Sequence, residues 1–90
     1  VNSANNTAVG SHAGLNLTTA VDSVYIGYNA GGSGTITGSY NTVIGKSAGY
    51  DLTSGSHNCL IGADAGTNFT NNTSNIAIGF NALVVLQSDI

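Results

Sequence analysis

The sequence predicts an all-β solenoid, in which one short coil of strand and turn stacks on copies of itself. One pattern, clearest at Asn41–Gly49, occurs five times along the 90 residues. Its anchor glycines are 17 or 18 residues apart, and the chain contains no proline. A fixed short period of this kind is typical of a stacked repeat. The anchors, which we expect in turns, are Gly10, Gly27, Gly45, Gly62 and Gly79.

Three columns of residues stay apolar when each copy is counted from its anchor glycine as position zero. Position −1 holds Val or Ile, position +3 holds Ala, and position +7 holds a large apolar residue. We expect these side chains to fill the interior. The predicted core columns are Val9, Ile26, Ile44, Ile61 and Ile78; Ala13, Ala30, Ala48, Ala65 and Ala82; and Leu17, Leu52, Phe69 and Leu86.

The second copy is one residue longer, and we place the insertion in Gly31–Gly34. Ile36 then takes the +7 position of that copy. The predicted single array has coils at about 5–21, 22–39, 40–56, 57–73 and 74–90. With strands about 4.8 Å apart, five coils form a rod roughly 24 Å long. A helical repeat is disfavoured, because interior glycines cost about 1 kcal/mol each.

A second turn column lies seven residues before the anchor, at Gly38, Gly55 and Asn72. Gly and Asn tolerate left-handed backbone conformations, so we predict positive φ at these three residues. Ala20 interrupts this column. We therefore expect a different or strained turn in the first coil.

Position −4 is amide-rich, and two interpretations of it remain open. Stacked amides hydrogen-bond from coil to coil in a ladder, whereas an isolated Asn caps its own turn. The residues in this column are Asn6, Ser23, Asn41, Asn58 and Asn75.

Position −2 is also apolar, although strand alternation directs it to the face opposite position −1. A strand that is apolar on both faces is typically buried on both. We therefore expect this column to form a hydrophobic wall through which chains associate laterally; the alternative is a lone solenoid with scattered surface apolar residues. The predicted oligomer interface is Ala8, Tyr25, Val43, Leu60 and Ala77.

Charge and cysteine content narrow the range of functions. The chain has one Lys and four Asp, a net charge of −3, so no basic cluster is available to bind nucleic acid. Without an apolar run of about 18 residues, we expect no membrane insertion. Cys59 is the sole cysteine, so no internal disulfide forms. Its column contains Thr, Val and Ile, which favours a buried thiol.

Motifs for catalysis, cofactors or metals are incomplete. Gly45-Lys46-Ser47 resembles the end of a phosphate-binding loop, but Tyr40 occupies the place of the upstream glycine. His57 and Cys59 alone make no metal site. The aspartates do not pair in any column. We expect a protein without enzymatic activity, cofactor or metal.

A threonine column at position +8 provides a different hypothesis, an ice-binding solenoid. Regular hydroxyls at strand spacing can order water, although the neighbouring column at +9 is irregular. The column comprises Thr18, Thr35, Thr53 and Thr70.

The copy Asn41-Thr42-Val43-Ile44-Gly45, continued by Ala48-Gly49-Tyr50, Thr53 and Gly55-Ser56, resembles the repeat of phage tail fibres and related bacterial surface fibre proteins. More distantly, it is similar to head repeats of trimeric autotransporter adhesins. The resemblance implies a structural or adhesive fibre, built as a homotrimer and located outside the cell, on its surface or on a virion. A self-assembling, end-to-end filament subunit is an alternative. If the fibre is adhesive, Tyr28, Tyr50 and Phe80 are candidate contacts with a cell-surface or glycan receptor.

Overall fold

The computed structural model describes residues 5–32 and 34–83, and its regular elements there are all β-strands. They form one parallel sheet in sequence order, wound into a solenoid of about four turns, which confirms the predicted fold class. The strands are β1 (Thr7–Val9), β2 (Val24–Ile26), β3 (Thr42–Ile44), β4 (Cys59–Ile61) and β5 (Ile76–Ile78).

The pairing register places each sequence column in a physical row. Tyr25 pairs with Val43, and Val43 pairs with Leu60, one coil at a time. Leu17 pairs with Ile36, 19 residues further along the chain. Two extra residues therefore lie before Ile36 and one fewer follows it, whereas the prediction placed a single insertion in Gly31–Gly34. Leu86, and the rest of the last predicted coil beyond Leu83, lie outside the described residues.

The interior is lined by positions −2, +3 and +7. Ala13, Ala82 and Leu17 are partly buried at its margins. The fully or almost fully buried residues of these columns are Tyr25, Val43, Leu60 and Ala77; Ala30, Ala48 and Ala65; and Ile36, Leu52 and Phe69.

The predictions for the two faces of the strand are wrong, because the columns at −1 and −2 exchange roles. Tyr25, Val43 and Leu60 have no exposed surface, although they were expected at an interface. The position −1 side chains lie in register but on the outside, half-buried at Ile26, Ile44 and Ile61 and exposed at Val9 and Ile78. Ala77 is buried with the inward column, and Ala8 is exposed in the first coil.

The corner after the strand explains the inward direction of position −2. A Cβ placed on Gly31 would lie 2.6 Å from the Tyr25 ring, and one on Gly49 would lie 3.0 Å from Leu60. These glycines follow the buried alanines directly in the chain, so the −2 side chains point into the corner where the coil closes. The sheet curves around position −2 and leaves position −1 outside.

Positive φ does not occur at Gly38, Gly55 or Asn72, contrary to the prediction. A Cβ on Gly38 would overlap the Gly55 carbonyl oxygen, and one on Gly55 would overlap that of Asn72. The close approach of successive coils therefore explains why Gly38 and Gly55 have no side chain. The Ala20 carbonyl accepts a hydrogen bond from Asn6 Nδ2, as the Gly55 carbonyl does from Asn41 Nδ2. The turn at Ala20 therefore keeps this hydrogen bond although alanine replaces the glycine of the column.

The left-handed residues instead recur at positions −5, 0, +2 and +4. The anchor glycines have φ between 121° and 132°, a range that side chains rarely adopt. At position −5 even Tyr40 and His57 have φ near 60°, with values of 63° and 61°. Each coil turns at these four points, which keeps the strand only three residues long.

The position −4 residues form the coil-to-coil ladder. The Asn58 N–H donates to Asn41 Oδ1 at 3.0 Å, and the Asn75 N–H donates to Asn58 Oδ1 at 3.0 Å. Ser23 carries the ladder through the second coil, because its Oγ accepts the Asn41 N–H at 3.1 Å. These hydrogen bonds satisfy polar groups that are buried beside the apolar interior of the coil.

Candidate functional site

The strongest candidate for a functional surface is the outward side of the five strands. We call it the outer sheet face. It consists of the position −3 and position −1 side chains, Thr7, Val9, Val24, Ile26, Thr42, Ile44, Cys59, Ile61, Ile76 and Ile78.

The outer sheet face is apolar and carries no charge. Its only hydroxyls are those of Thr7 and Thr42. Exposure reaches 56% at Val9, 70% at Ile76 and 62% at Ile78, while the middle coils are half-buried by their neighbours. Because charged residues are depleted from the cores of protein interfaces, this composition is typical of a surface that a partner covers.

The dimensions of the face limit how tightly one array can bind a partner. Two residue columns and five coils cover roughly 10 Å by 24 Å at ordinary strand spacings. Such an area is well below the ~800 Å² that each partner contributes to a standard stable interface. A tight complex therefore needs the flanking side chains or a longer run of coils.

Exposed aromatic residues flank the strands. Tyr28 and Phe80, at position +1, are 50% and 73% exposed, whereas Tyr50 is half-buried. The position +1 column also contains Lys46, the only lysine or arginine in the chain. Two of the three predicted receptor contacts therefore lie immediately beyond the strands and close to the outer sheet face.

Two aromatic–histidine pairs lie at the turns on either side of the strands. Tyr40 and His57 stack before β3 and β4, with ring centroids 4.9 Å apart and planes 26° apart. His12 and Tyr28 meet edge to face after β1 and β2, with centroids 6.1 Å apart. Neither pair was identified from the sequence, although Tyr40 and His57 share position −5 of successive coils and the column alignment could have paired them.

Cys59 lies on the outer sheet face and is half-buried, so the expectation of a buried thiol is wrong. The error follows from the exchange of the two strand faces. Since it lies on β4, between the coils of β3 and β5, Cys59 is a natural chemical probe of whether this face is covered.

The threonine column at position +8 differs from the predicted array. Since Leu17 pairs with Ile36, the residue in register with Thr18 is Thr37, and Thr35 lies outside the column. Thr18 Oγ1 donates to the Ile36 carbonyl at 3.0 Å, and Thr53 Oγ1 donates to the Thr70 carbonyl at 3.3 Å. These hydroxyls bridge coils instead of forming a free array for water.

The Tyr25 hydroxyl is the one polar side-chain atom of the described residues that is fully buried without a hydrogen-bond partner. Burial raises the pKa of Tyr25, while the neighbouring side chains of Asn41 and Ser23 act in the opposite direction. The hydroxyl lies near these two ladder residues without hydrogen-bonding geometry. Tyr25 therefore contributes by filling volume, and its position inside a closed coil gives a ligand no access.

Other kinds of site are not found in residues 5–32 and 34–83. This part of the chain forms no pocket, and no three His, Cys, Asp or Glu side chains cluster there as metal ligands. It also contains no helix of the length and hydrophobicity needed to cross a membrane. Compared with known proteins, the chain matches no protein-family model, no curated protein and no solved structure.

Proposed function

We propose that the chain is a structural and adhesive segment of an extracellular fibre, of the kind found in phage tail fibres or bacterial surface adhesins. Copies of the chain associate side by side through the outer sheet face. The observation that carries this proposal is an uncharged Val/Ile surface on the outside of a coil whose interior is already filled. The face contributes little to closing the coil, so its regular hydrophobicity calls for another explanation.

A second copy of the chain is the partner that fits this face best. Its side chains recur at the spacing of the coils, about 4.8 Å, so two such faces share one repeat and their Ile columns interdigitate along their length. A globular partner has no reason to match that spacing. Three copies is the number that the resemblance to fibre repeats favours.

Adhesion would use the aromatic side chains that remain exposed in such an assembly. Tyr28 and Phe80 are the leading candidates, since both are at least half exposed. Aromatic rings with a polar or apolar edge suit a glycan or a protein receptor on a cell surface. A fibre with this role lies outside the cell or on a virion.

The experiment that tests lateral association measures how fast the Cys59 thiol reacts with a maleimide. We expect its rate of reaction with a small maleimide to fall at least tenfold as the protein concentration rises from about 10 μM to about 1 mM, a range that covers weak association. Analytical ultracentrifugation of the same samples should show a mass approaching three chains. The Ile44→Lys variant places a charge in the centre of the face, so it should not associate side by side and its Cys59 should remain reactive at every concentration.

Two controls make the result specific. Ser54→Lys adds the same charge at an exposed residue away from the strands and should associate like the wild type. In a Cys59→Ser background, Ser54→Cys should react with the maleimide at a rate that does not depend on the protein concentration. A Cys59 rate that is constant over the range, or one that falls equally in Ile44→Lys, would refute the proposal.

A further inference from the structure

The corner that follows each strand carries two parallel rows of residues, at positions +1 and +2. The position +2 N–H donates to the position +1 carbonyl of the preceding coil, as in Ser47 to Tyr28 at 2.8 Å and Asp64 to Lys46 at 2.8 Å. These bonds give both rows the spacing of the coils, about 4.8 Å. We call residues 28–29, 46–47, 63–64 and 80–81 the corner strip.

Position +1 places two aromatic rings on the outside of the corner strip. Tyr28 is 50% exposed although a coil lies on either side of it, and Lys46 is exposed in the middle of the array. Phe80 occupies the same position three coils after Tyr28, a separation of about 14 Å. Lys46 and Ala63, which lie between them, carry no ring. The two aromatic side chains therefore do not stack on each other.

Position +2 supplies polar side chains that the fold leaves unused. Their φ angles lie between 59° and 62°, so their Cβ atoms point in the same direction from coil to coil. These side chains make no hydrogen bond with the described residues, and their polar atoms are not buried. In contrast, Asn58 of position −4 bonds to the coils on both sides. The unused side chains are those of Asn29, Ser47, Asp64 and Asn81.

The corner strip suits a sugar better than a peptide. Peptides that dock on a sheet bond to free backbone groups or fill a groove. Here the position +2 N–H and position +1 carbonyl groups already bond to each other, and residues 5–32 and 34–83 form no pocket. An oligosaccharide needs neither feature. The C–H faces of its pyranose rings pack on exposed aromatic rings, and its hydroxyls bond to amides, hydroxyls and carboxylates.

The charges of the corner strip indicate which sugars fit. Lys46 provides one ammonium group and Asp64 provides one carboxylate in the next coil, so the corner strip has no net charge. The whole chain has a net charge of −3, which repels an acidic glycan. A neutral glycan is therefore favoured.

We propose that the corner strip binds a neutral, extended oligosaccharide that lies along the axis of the solenoid. One pyranose ring packs on Tyr28 and another on Phe80, while the position +2 side chains bond to the hydroxyls between them. This inference rests on the proposed adhesive function and names its receptor class. Because the site is an open surface, we expect a dissociation constant of about 1 mM for one corner strip. A fibre that presents several corner strips binds more tightly through avidity.

Saturation-transfer difference NMR on the full chain tests the receptor class, with cellohexaose and chitohexaose as neutral probes. At a protein concentration of about 10 μM, we expect at least one of them to bind with a dissociation constant of about 1 mM. A hyaluronan hexasaccharide, which is acidic, should bind at least fivefold more weakly. Cellobiose and chitobiose should also bind at least fivefold more weakly, because a disaccharide is too short to contact both rings.

Substitutions test whether the two aromatic rings hold the sugar. Phe80→Leu keeps an apolar side chain but removes the ring, and it should weaken binding about fivefold, whereas Phe80→Tyr should bind like the wild type. Tyr28→Leu should weaken binding as much as Phe80→Leu does. Tyr40→Leu, which removes an exposed ring at the corner before β3, should leave binding unchanged. Circular dichroism verifies that each variant is folded.

Three results would overturn the inference. The first is that neither neutral hexasaccharide binds, and the second is that the acidic hexasaccharide binds more tightly than both. The third is that Tyr40→Leu and Phe80→Leu weaken binding equally.

The sugar site and the lateral association fail separately. Sugar binding is measured at about 10 μM, the dilute end of the range used for Cys59, so it does not require contact between copies. Cys59 lies on the outer sheet face and outside the corner strip. Phe80→Leu should therefore lose sugar binding while its Cys59 is still protected at high concentration.

Discussion

Leu60 and Ile61 are adjacent in β4, similar in size and equally hydrophobic, yet they have opposite environments. Leu60 has no exposed surface and faces the corner formed by Gly49 and Gly66, whereas Ile61 lies half-buried on the outer sheet face. The difference shows that, of these two strand columns, the regular one at position −1 lies outside and the variable one at position −2 lies inside. The position −2 residues adapt to the volume of each coil, while the position −1 residues repeat.

The largest expected effect separates these two residues directly. Leu60→Ala should lower the free energy of unfolding by about 3–4 kcal/mol, because it opens a cavity in a closed interior. Ile61→Ala should cost about 1 kcal/mol, since its side chain is already partly in water. Chemical denaturation of both variants at low protein concentration measures the difference, and equal losses would contradict the assignment of the faces.

The turn after the strand gives a second comparison, in which one substitution is made in two environments. Gly45 and Gly79 have similar φ values of 132° and 124°, but a Cβ on Gly45 would lie 2.6 Å from the Gly62 carbonyl carbon, while one on Gly79 meets nothing within 4 Å. Gly79→Ala should cost about 1–2 kcal/mol for the backbone conformation alone. Gly45→Ala should cost about 3 kcal/mol, because backbone strain and overpacking add. Thermal unfolding of the pair tests this, and identical melting temperatures would argue against close stacking of the coils.

The position −4 ladder supplies buried hydrogen bonds between coils, as the inward position −2 column supplies apolar packing. Asn41→Ala should cost about 2 kcal/mol, because the Asn58 N–H and the Gly55 carbonyl are then left buried without a partner. Asn68→Ala, an exposed control, should change stability by less than about 0.5 kcal/mol. Urea denaturation distinguishes the two, and a neutral Asn41→Ala would show that the ladder adds no stability.

The smallest effect at neutral pH is expected for Tyr25→Phe. Its hydroxyl is buried without a partner, so its removal should change stability by less than about 1 kcal/mol. Burial raises the pKa of Tyr25 above the ordinary 10.0, so the folded state opposes ionisation. That contribution is fully present below pH 10.0 and is lost as the pH rises through the folded-state value.

A pH series of denaturation curves checks this sign. The wild type should lose more stability above pH 10.0 than Tyr25→Phe does. Parallel pH profiles for the wild type and Tyr25→Phe would place the Tyr25 hydroxyl in water.

Much of the fold is predictable because the period is visible in the residues themselves. The columns at positions +3 and +7 and the anchor glycines follow from aligning the five copies, whereas the two residues added before Ile36 were predicted as one. The choice of strand face does not, since positions −1 and −2 are both apolar and alternation allows either phase. The turn glycines Gly38 and Gly55 were misassigned for a related reason. A glycine kept for close approach looks identical in sequence to one kept for positive φ.

The candidate surface was predicted in kind but not in position. An apolar strand on both sides implies a hydrophobic wall outside the coil, yet the wall consists of Ile26, Ile44 and Ile61 and not of Tyr25, Val43 and Leu60. One available signal was the variation of size along position −2, from Ala to Tyr. Such variation is typical of side chains that complement local volume in a closed core.

By itself, the sequence determined that this protein is a stacked β-repeat with about 17 residues per coil, few charges and two apolar strand faces. Only the tertiary structure decided which face is inside, where the backbone turns and which polar groups form the ladder. The physical reason is that the alternation of side chains belongs to each strand by itself and does not say which side of the strand is enclosed. The inside of a coil is defined only when its corners close and the glycines at positions 0 and +4 leave room for particular side chains.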